Sequence, residues 1–249
     1  MILIIGSNHD DILYFDTIIS NRRKEKILDI FDATFGTILN QEVVVLSDVF
    51  SNYLSSSLVS YIIQRYFVVL TIVVGRCITV NNDNKVGDII ISREIILGDV
   101  DQVSERQVKL GQIPGLPLRL RVDDNVVNYL SKAFEEKTDS DAKVETYIST
   151  NQSYTLESEM DLFRFGDRLM SSERNFVIDN ILGGAAVSCY LTKVPCVGVK
   201  VVERVLGKKN LIDNYLKVVQ KFSAVGKAIV NVINDIGRRD VIGGENENK

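Results

Sequence analysis

The residues that could do chemistry in this chain are few, and they narrow its options quickly. His9 is the one histidine, so neither a histidine metal site nor a histidine acid–base pair can be assembled. It stands in an acidic stretch, His9-Asp10-Asp11, where a solvated turn residue is the ordinary reading. Cys77, Cys189 and Cys196 are odd in number and match no zinc spacing. Each sits in an apolar run, which suits buried free thiols in a reducing, cytoplasmic setting. The sequence contains no Gly-x-Gly-x-x-Gly, no phosphate-binding lysine loop and no Gly-x-Ser-x-Gly. Gly111-Gln112-Ile113-Pro114-Gly115-Leu116-Pro117 is a turn-rich loop, which alone marks only an ordered connection. Chemistry by residue type therefore reaches an α/β domain with ligand loops at its strand ends, and no further.

Composition removes several classes. Of 249 residues, 45% are hydrophobic and 25% charged, as in an ordinary globular protein rather than a disordered one. Lys plus Arg is 29 and Asp plus Glu is 33, a net charge of −4. A mildly acidic chain without a basic block is a poor nucleic-acid binder. No apolar run approaches the roughly 20 residues that cross a bilayer, so no membrane partner is expected. Met1 to Gly6 lacks a basic segment and a cleavage site and does not read as a signal peptide.

Apolar runs alternate with helical patterns. Met1–Ile5, Glu42–Leu46, Phe67–Val74, Val86–Ile91, Val144–Ser149, Phe176–Ile178 and Pro195–Val202 read as strands, and Ile95–Leu97 as an extension of the sheet. Helices are expected over Asp10–Ser20, Tyr53–Tyr66, Asn125–Phe134, Leu156–Met170 and Gly183–Leu191. Leu54, Leu58, Tyr61 and Ile62 would share one face of the second. Asp123 would cap the third, with Val126, Val127, Leu130 and Phe134 inward. The last helix is capped by Asn210 and carries a seam from Leu211 through Tyr215, Val218, Phe222, Val225, Ile229 and Val232 to Ile236, stopped by Gly237. Strands buried on both faces between helices predict a three-layer α/β/α sandwich with a central mixed sheet. No linker stands out, so one domain over residues 1–239 with a frayed polar tail over 240–249 is expected.

Four segments in order carry a resemblance. They are Ile4-Ile5-Gly6 before an acidic helix start, Lys85-Val86-Gly87-Asp88-Ile89-Ile90-Ile91-Ser92, the Gly111–Pro117 loop, and Val194-Pro195-Cys196-Val197-Gly198-Val199-Lys200. Together they resemble the purine nucleoside phosphorylase and nucleosidase superfamily, most of all the methylthioadenosine/S-adenosylhomocysteine nucleosidases, from Met1 to about Gly237. The resemblance implies cleavage of a purine N-glycosidic bond, a nucleoside or nucleoside-like ligand, no cofactor, and a homodimer. Such a reaction needs an acid to protonate the departing base, a carboxylate to activate water (or phosphate in its place), and a carboxylate on the ribose hydroxyls.

Mapped residue by residue, that machinery is altered. The water-activating glutamate falls on Asp11, which reads either as a retained base or as a surface acid near a helix start, favoured by the dipole. The Ser-Ala-Gly-Gly loop becomes Arg76-Cys77-Ile78-Thr79 after Gly75. Arg76 would suit phosphate or another anion, unless the loop has simply drifted. The purine-facing Ser-Gly-Asp-x-Phe becomes Ser149-Thr150-Asn151-Gln152-Ser153, with Tyr154 as a substitute stacking ring. The ribose-clamp glutamate falls on Ile181, and Asp179 is the nearest acid. The Ser-Asp pair with the general acid falls on Glu203-Arg204. Arg204 holds its proton at working pH; Glu203 would be the acid only if a bulge brings it to the right face, and otherwise the proton donor is missing. Lys200, Arg204 and Arg76 would make the site cationic. Two readings follow: a divergent nucleosidase or phosphorylase using Asp11 and Glu203, or an impaired family member that binds a ligand or partner; a Glu203 carboxylate in the base pocket would favour the first, and one pointing to solvent the second. The stretch Asp99–Leu110 carries Glu105, Arg106 and Lys109 without the family's aromatic, which puts a partner-supplied apolar lid in question.

Overall fold

The computed structural model describes residues 1–102, 108–151, 176–206 and 214–238. Strand β1 (Ile2–Gly6) is buried at every position and lies between β4 (Gln41–Leu46) and β5 (Leu70–Thr79), parallel to both. A strand without a solvent face needs unbroken apolar sequence, and Ile2-Leu3-Ile4-Ile5 supplies it. β5 continues the sheet to β10 (Cys196–Val205), again in parallel. β10 pairs antiparallel with β6 (Ile89–Leu97), which runs parallel to β8 (Ala142–Ser149); β8 runs parallel to β9 (Phe176–Asp179). β9 returns to the end of β5 through Ile78 and Thr79. The central mixed sheet therefore curls into a closed ring of five strands at one end. A two-residue strand β7 (Leu120–Arg121) flanks β6.

Helices cover both sides. Helices α1 (His9–Ile18), α3 (Asp124–Lys137) and α5 (Asn214–Arg238) pack together on one side, and α2 (Asn52–Arg65) packs on α4 (Leu182–Thr192) on the other. This is the expected α/β/α arrangement. Asp123 caps α3 by accepting from the backbone N–H of Asn125 at 2.8 Å and Val126 at 3.3 Å, and Val126, Val127, Leu130 and Phe134 are buried. In α5 the seam residues Val218, Phe222, Val225, Ile229 and Val232 are buried against α1, α3 and β10, whereas Tyr215 is 51% exposed.

Other expectations need correction. The first helix ends at Ile18, because Ser20 opens a hairpin that the apolar pattern did not show: β2 (Ser20–Ile27) against β3 (Phe31–Ile38). β2 is an edge strand, exposed over most of its length and carrying Arg23, Lys24, Glu25 and Lys26. Such charges discourage pairing with another chain but erase the apolar signal. The β3–β4 turn, Leu39-Asn40, has φ of 49° and 68°, the mirror-image turn that suits strand twist, without its usual glycine. Phe67 is 86% exposed, so β5 begins only at Leu70. The pieces at Val86–Ile91 and Ile95–Leu97 belong to one strand, β6. On α2, Leu54 is exposed and Ser55, Leu58, Val59 and Ile62 face inward. The expected helix at Leu156–Met170, the cap Asn210, Leu211 and the tail over 240–249 lie outside the described residues. Helix α5 runs one residue beyond Gly237.

Candidate functional site

The register of three parallel strands gathers the candidate residues. β1 stops at Gly6, opposite Val74, and the chain turns through Ser7 and Asn8 into α1. β5 runs on past that point, so Gly75 and Arg76 lie beside the start of α1. There Arg76 Nε donates to Asp11 Oδ1 at 3.1 Å, and its Nη2 lies 4.0 Å from Asp10 Oδ2. Asp11 Oδ2 accepts from the backbone N–H of Asn8 at 3.0 Å and from Asn8 Nδ2 at 3.3 Å. The Asp11 side chain is thus buried, closing the first turn of α1 with one oxygen and holding Arg76 with the other. The reading of Asp11 as a surface acid is corrected: it stands at the helix start but is buried.

β10 continues beside β5 with Val201 opposite Arg76 and Val202 opposite Cys77; Arg204, not Glu203, is then opposite Ile78. Glu203 is the extra residue of a β-bulge. Residues opposite each other share a face, and residues two apart along a strand share a face. Glu203 follows Val201 by two, and Arg204 pairs with Ile78, so the bulge sets both on the Arg76 side. Electrostatics agree with this placement. Glu203 is exposed, yet lost hydration raises its pKa, against the pull of Arg76 and Arg204 and with a smaller push from Asp11. Burial works against the Arg76 charge, but Asp11, Glu203 and Tyr215 outweigh it and hold the guanidinium above its ordinary value.

Tyr215 belongs to this cluster and was read from sequence only as a seam residue. Its hydroxyl donates to Asp10 Oδ2, and the Arg76 guanidinium lies 5.2 Å from its ring centroid. A phenol in an otherwise aliphatic and phenylalanine seam was the available signal.

Gly75 is required where it stands. A Cβ there would lie 2.2 Å from Ser7 Oγ and 3.1 Å from Lys200 Nζ. Lys200 points into the ring of strands, its side chain inaccessible, with Nζ 3.1 Å from Asp179 Oδ2, itself inaccessible. The same oxygen accepts from the backbone N–H of Ile181 at 3.3 Å and Leu182 at 2.9 Å, at the start of α4. Asp179 Oδ1 is buried and has no hydrogen-bond partner among the described residues. The expected accumulation of positive charge is therefore corrected: Lys200 is matched by Asp179 and Arg76 by Asp11.

Ser149 and Asn151 form a second group. Ser149 Oγ donates to Asn52 Oδ1 at 2.9 Å and accepts from the backbone N–H of Gly183 at 2.8 Å. Asn151 Nδ2 donates to Asp99 Oδ2 at 2.7 Å, and its Oδ1 accepts from the backbone N–H of Asn52 at 2.7 Å. These bonds tie the end of β8 to the starts of α2 and α4, around a cleft of about 390 Å³ also lined by Leu97, Ile113 and Val187. Tyr154 lies outside the described residues. Among the described residues, no group of three or more His, Cys, Asp or Glu side chains is gathered to hold a metal, and no helix is long and apolar enough to cross a membrane.

Comparison with known proteins bears on this arrangement. No family model matches the chain. In sequence it is similar to a 5'-methylthioadenosine/S-adenosylhomocysteine nucleosidase of Bacillus velezensis, 21% identical over 235 residues, 94% of this chain and 98% of the relative. In structure it is similar to the corresponding nucleosidase of Campylobacter jejuni, with a TM-score of 0.84 at 14% identity, covering 94% of this chain and 98% of the other. The nucleosidase of Neisseria meningitidis in complex with methylthio-immucillin-A superposes with a TM-score of 0.80 at 16% identity, covering 94% and 98%. The chain has the fold of the purine nucleoside phosphorylase and nucleosidase superfamily, and its sequence is similar over almost its whole length to the methylthioadenosine/S-adenosylhomocysteine nucleosidases.

Proposed function

We propose that this chain binds a purine nucleoside of the methylthioadenosine type and cleaves its N-glycosidic bond, with Glu203 as general acid and Asp11 as general base. The observation that carries the reading is the bulge at Glu203. It sets a carboxyl on the face of Arg76, within electrostatic reach of Asp11, where Arg204 alone could donate no proton. A raised pKa suits an acid that must hold its proton until the base departs. The sugar gains positive charge as the bond breaks, and Asp11 is placed to take a proton from attacking water once Arg76 has left Oδ1. A substrate with an anionic group, or phosphate itself, would draw Arg76 away. Asp179, expected on the ribose, is inaccessible and held by Lys200 and the start of α4, so it takes no part in this reading. Ser149, Asn151 and Tyr154 stand on the segment assigned to the base.

A second reading, an impaired member that binds without turnover, is favoured by the exposure of Glu203 and by the Asp11–Arg76 ion pair, which engages the base that water would need. The test is base release from methylthioadenosine, S-adenosylhomocysteine, adenosine, inosine, guanosine and uridine, with and without phosphate. Phosphate-independent release of adenine supports the nucleosidase. Release only with phosphate moves Arg76 to an anion site and makes the protein a phosphorylase. Folded protein that turns over none of them leaves the binding role.

We also propose a homodimer formed through the α2–α4 face, where Phe50, Tyr53, Leu54 and Leu191 are 55%, 73%, 39% and 65% exposed. Light scattering on the eluting protein should give twice the chain mass; a monomer mass would remove the proposal. Three free cysteines support a reducing, cytoplasmic location.

A further inference from the structure

Arg76 holds the oxygen of Asp11 that attacking water would need, and its surroundings offer it a second place to go. Asp10 and Asp11 are consecutive in the first turn of α1, where successive side chains diverge by about 100°. The guanidinium lies between them, with Nε on Asp11 Oδ1 at 3.1 Å and Nη2 at 4.0 Å from Asp10 Oδ2. The second contact is about 1 Å too long for a hydrogen bond. Tyr215 occupies that Asp10 oxygen: its hydroxyl donates to Oδ2, and the guanidinium lies 5.2 Å from its ring centroid. One carboxylate oxygen therefore has two claimants, a phenol on α5 and an arginine on β5.

Burial decides which exchanges are open. The Arg76 side chain is 17% accessible, so leaving Asp11 without another anion would strand a largely buried charge. Asp10, with its side chain 41% accessible, supplies that anion. Tyr215 is half exposed, so its hydroxyl can turn to water when Asp10 is taken. Glu203 does not serve, because as general acid it carries the proton for the departing base. Asp11 keeps its place when Arg76 goes, since Oδ2 is still held by the backbone N–H and side-chain amide of Asn8. The oxygen set free is Oδ1 alone.

We propose that Arg76 exchanges Asp11 for Asp10 during turnover, and that Asp10 and Tyr215 are positioning residues that set how often the base is uncovered. The inference rests on Asp11 being the general base. The Arg76 Nε–H leaves Asp11 Oδ1, an Nη2–H takes Asp10 Oδ2, and the Tyr215 hydroxyl turns to solvent. No proton changes owner, and Arg76 has an anionic partner before and after. The exchange needs no anion from the substrate.

Asp10→Asn and Tyr215→Phe break the same hydrogen bond and should nevertheless act in opposite directions. Asp10→Asn removes the second anion and keeps Arg76 on Asp11. Tyr215→Phe vacates the Asp10 oxygen and draws Arg76 across. With methylthioadenosine in the full chain, kcat for adenine release should fall about 3- to 10-fold in Asp10→Asn and rise by a similar factor in Tyr215→Phe, the scale of one hydrogen bond. Nucleoside affinity should be retained in both. Any pattern other than opposite shifts overturns the proposal; loss in both is what a purely structural bond between α1 and α5 would give. A second readout needs no turnover: hydrogen exchange of the Arg76 Nε–H, followed by proton–nitrogen NMR and identified by its absence from Arg76→Met. Exchange should be faster in Tyr215→Phe than in wild type, and no faster in Asp10→Asn. Wild-type protein that releases no adenine removes the nucleosidase reading, and the NMR measurement then decides the exchange by itself: equal rates in wild type and both variants overturn it.

Discussion

At the scale of single residues, charge is kept in matched pairs, and each pair makes a prediction. Lys200 and Asp179 are both inaccessible and 3.1 Å apart. Removing one partner leaves the other as an uncompensated buried charge, which typically costs about 3–5 kcal/mol. Lys200→Met should lower the denaturation midpoint accordingly, and adding Asp179→Asn should recover much of the loss. A Lys200→Met variant as stable as wild type would show that the pair does not hold the ring together. Glu203 behaves differently because its pKa is raised in the fold by lost hydration. The folded chain then favours the protonated carboxyl. Folding is weakened as pH rises from the unfolded value, about 4.3, through the higher folded value, and the weakening persists above it. Glu203→Gln should therefore be more stable than wild type above that window and indistinguishable below it. Thermal unfolding across pH reads the difference, and equal midpoints throughout would rule out a desolvated Glu203. The same shift predicts a rate that falls as pH rises through the Glu203 pKa, with the fall moved to higher pH in Arg76→Met, since Arg76 pulls that pKa down.

At the scale of elements, close approach decides which residues are tolerated. Helix α4 is rich in small residues because it lies against α2. A Cβ at Gly184 would stand 1.9 Å from the Asn52 carbonyl oxygen, a backbone atom with little room to give. Ser188 fills the next turn, donating to the Ser56 carbonyl at 3.0 Å and accepting from the Ser60 hydroxyl at 3.0 Å. Gly184→Ala should cost about 1–3 kcal/mol by overpacking, measured by denaturant unfolding; a neutral change would mean that the two helices separate freely. Elements with strong local signals were legible. Ile2-Leu3-Ile4-Ile5 could only be an interior strand, and Asp123 before Val126, Val127 and Leu130 could only start a helix. The β2–β3 hairpin was not, since Arg23, Lys24, Glu25 and Lys26 face solvent and the Leu39-Asn40 turn lacks a glycine. The bulge at Glu203 was foreseen only as a need. Bulges follow from the pairing of two strands, here Val202 with Cys77 and Arg204 with Ile78, and no local residue pattern encodes that.

At the scale of the whole molecule, the order of motifs along the chain conveyed the fold better than any single motif conveyed the site. Ile4-Ile5-Gly6, the Gly111–Pro117 loop and Val194–Lys200 carry the resemblance in order, and the fold is shared with a nucleosidase structure at a TM-score of 0.84 and 14% identity over 94% of the chain. The site was less legible because it depends on partners distant in sequence. Arg76 meets Asp11 only because β5 outruns β1, and Tyr215 reaches Asp10 only because α5 packs on α1. Lys200 was counted as a site cation, yet the closure of the strand ring turns it inward to Asp179. Asp11, Arg76 and Glu203, which look like erosion when mapped one at a time, lie together in space, with Arg76 bonded to Asp11 and Glu203 on its face. The proposed function stands on proton donation by Glu203. The most direct measurement is kcat for release of adenine from methylthioadenosine by wild type and Glu203→Gln, with nucleoside affinity measured alongside. A loss of about 100-fold or more in kcat, in the range for removal of a general acid, with affinity retained, is the predicted result. Unchanged kcat in Glu203→Gln would contradict it.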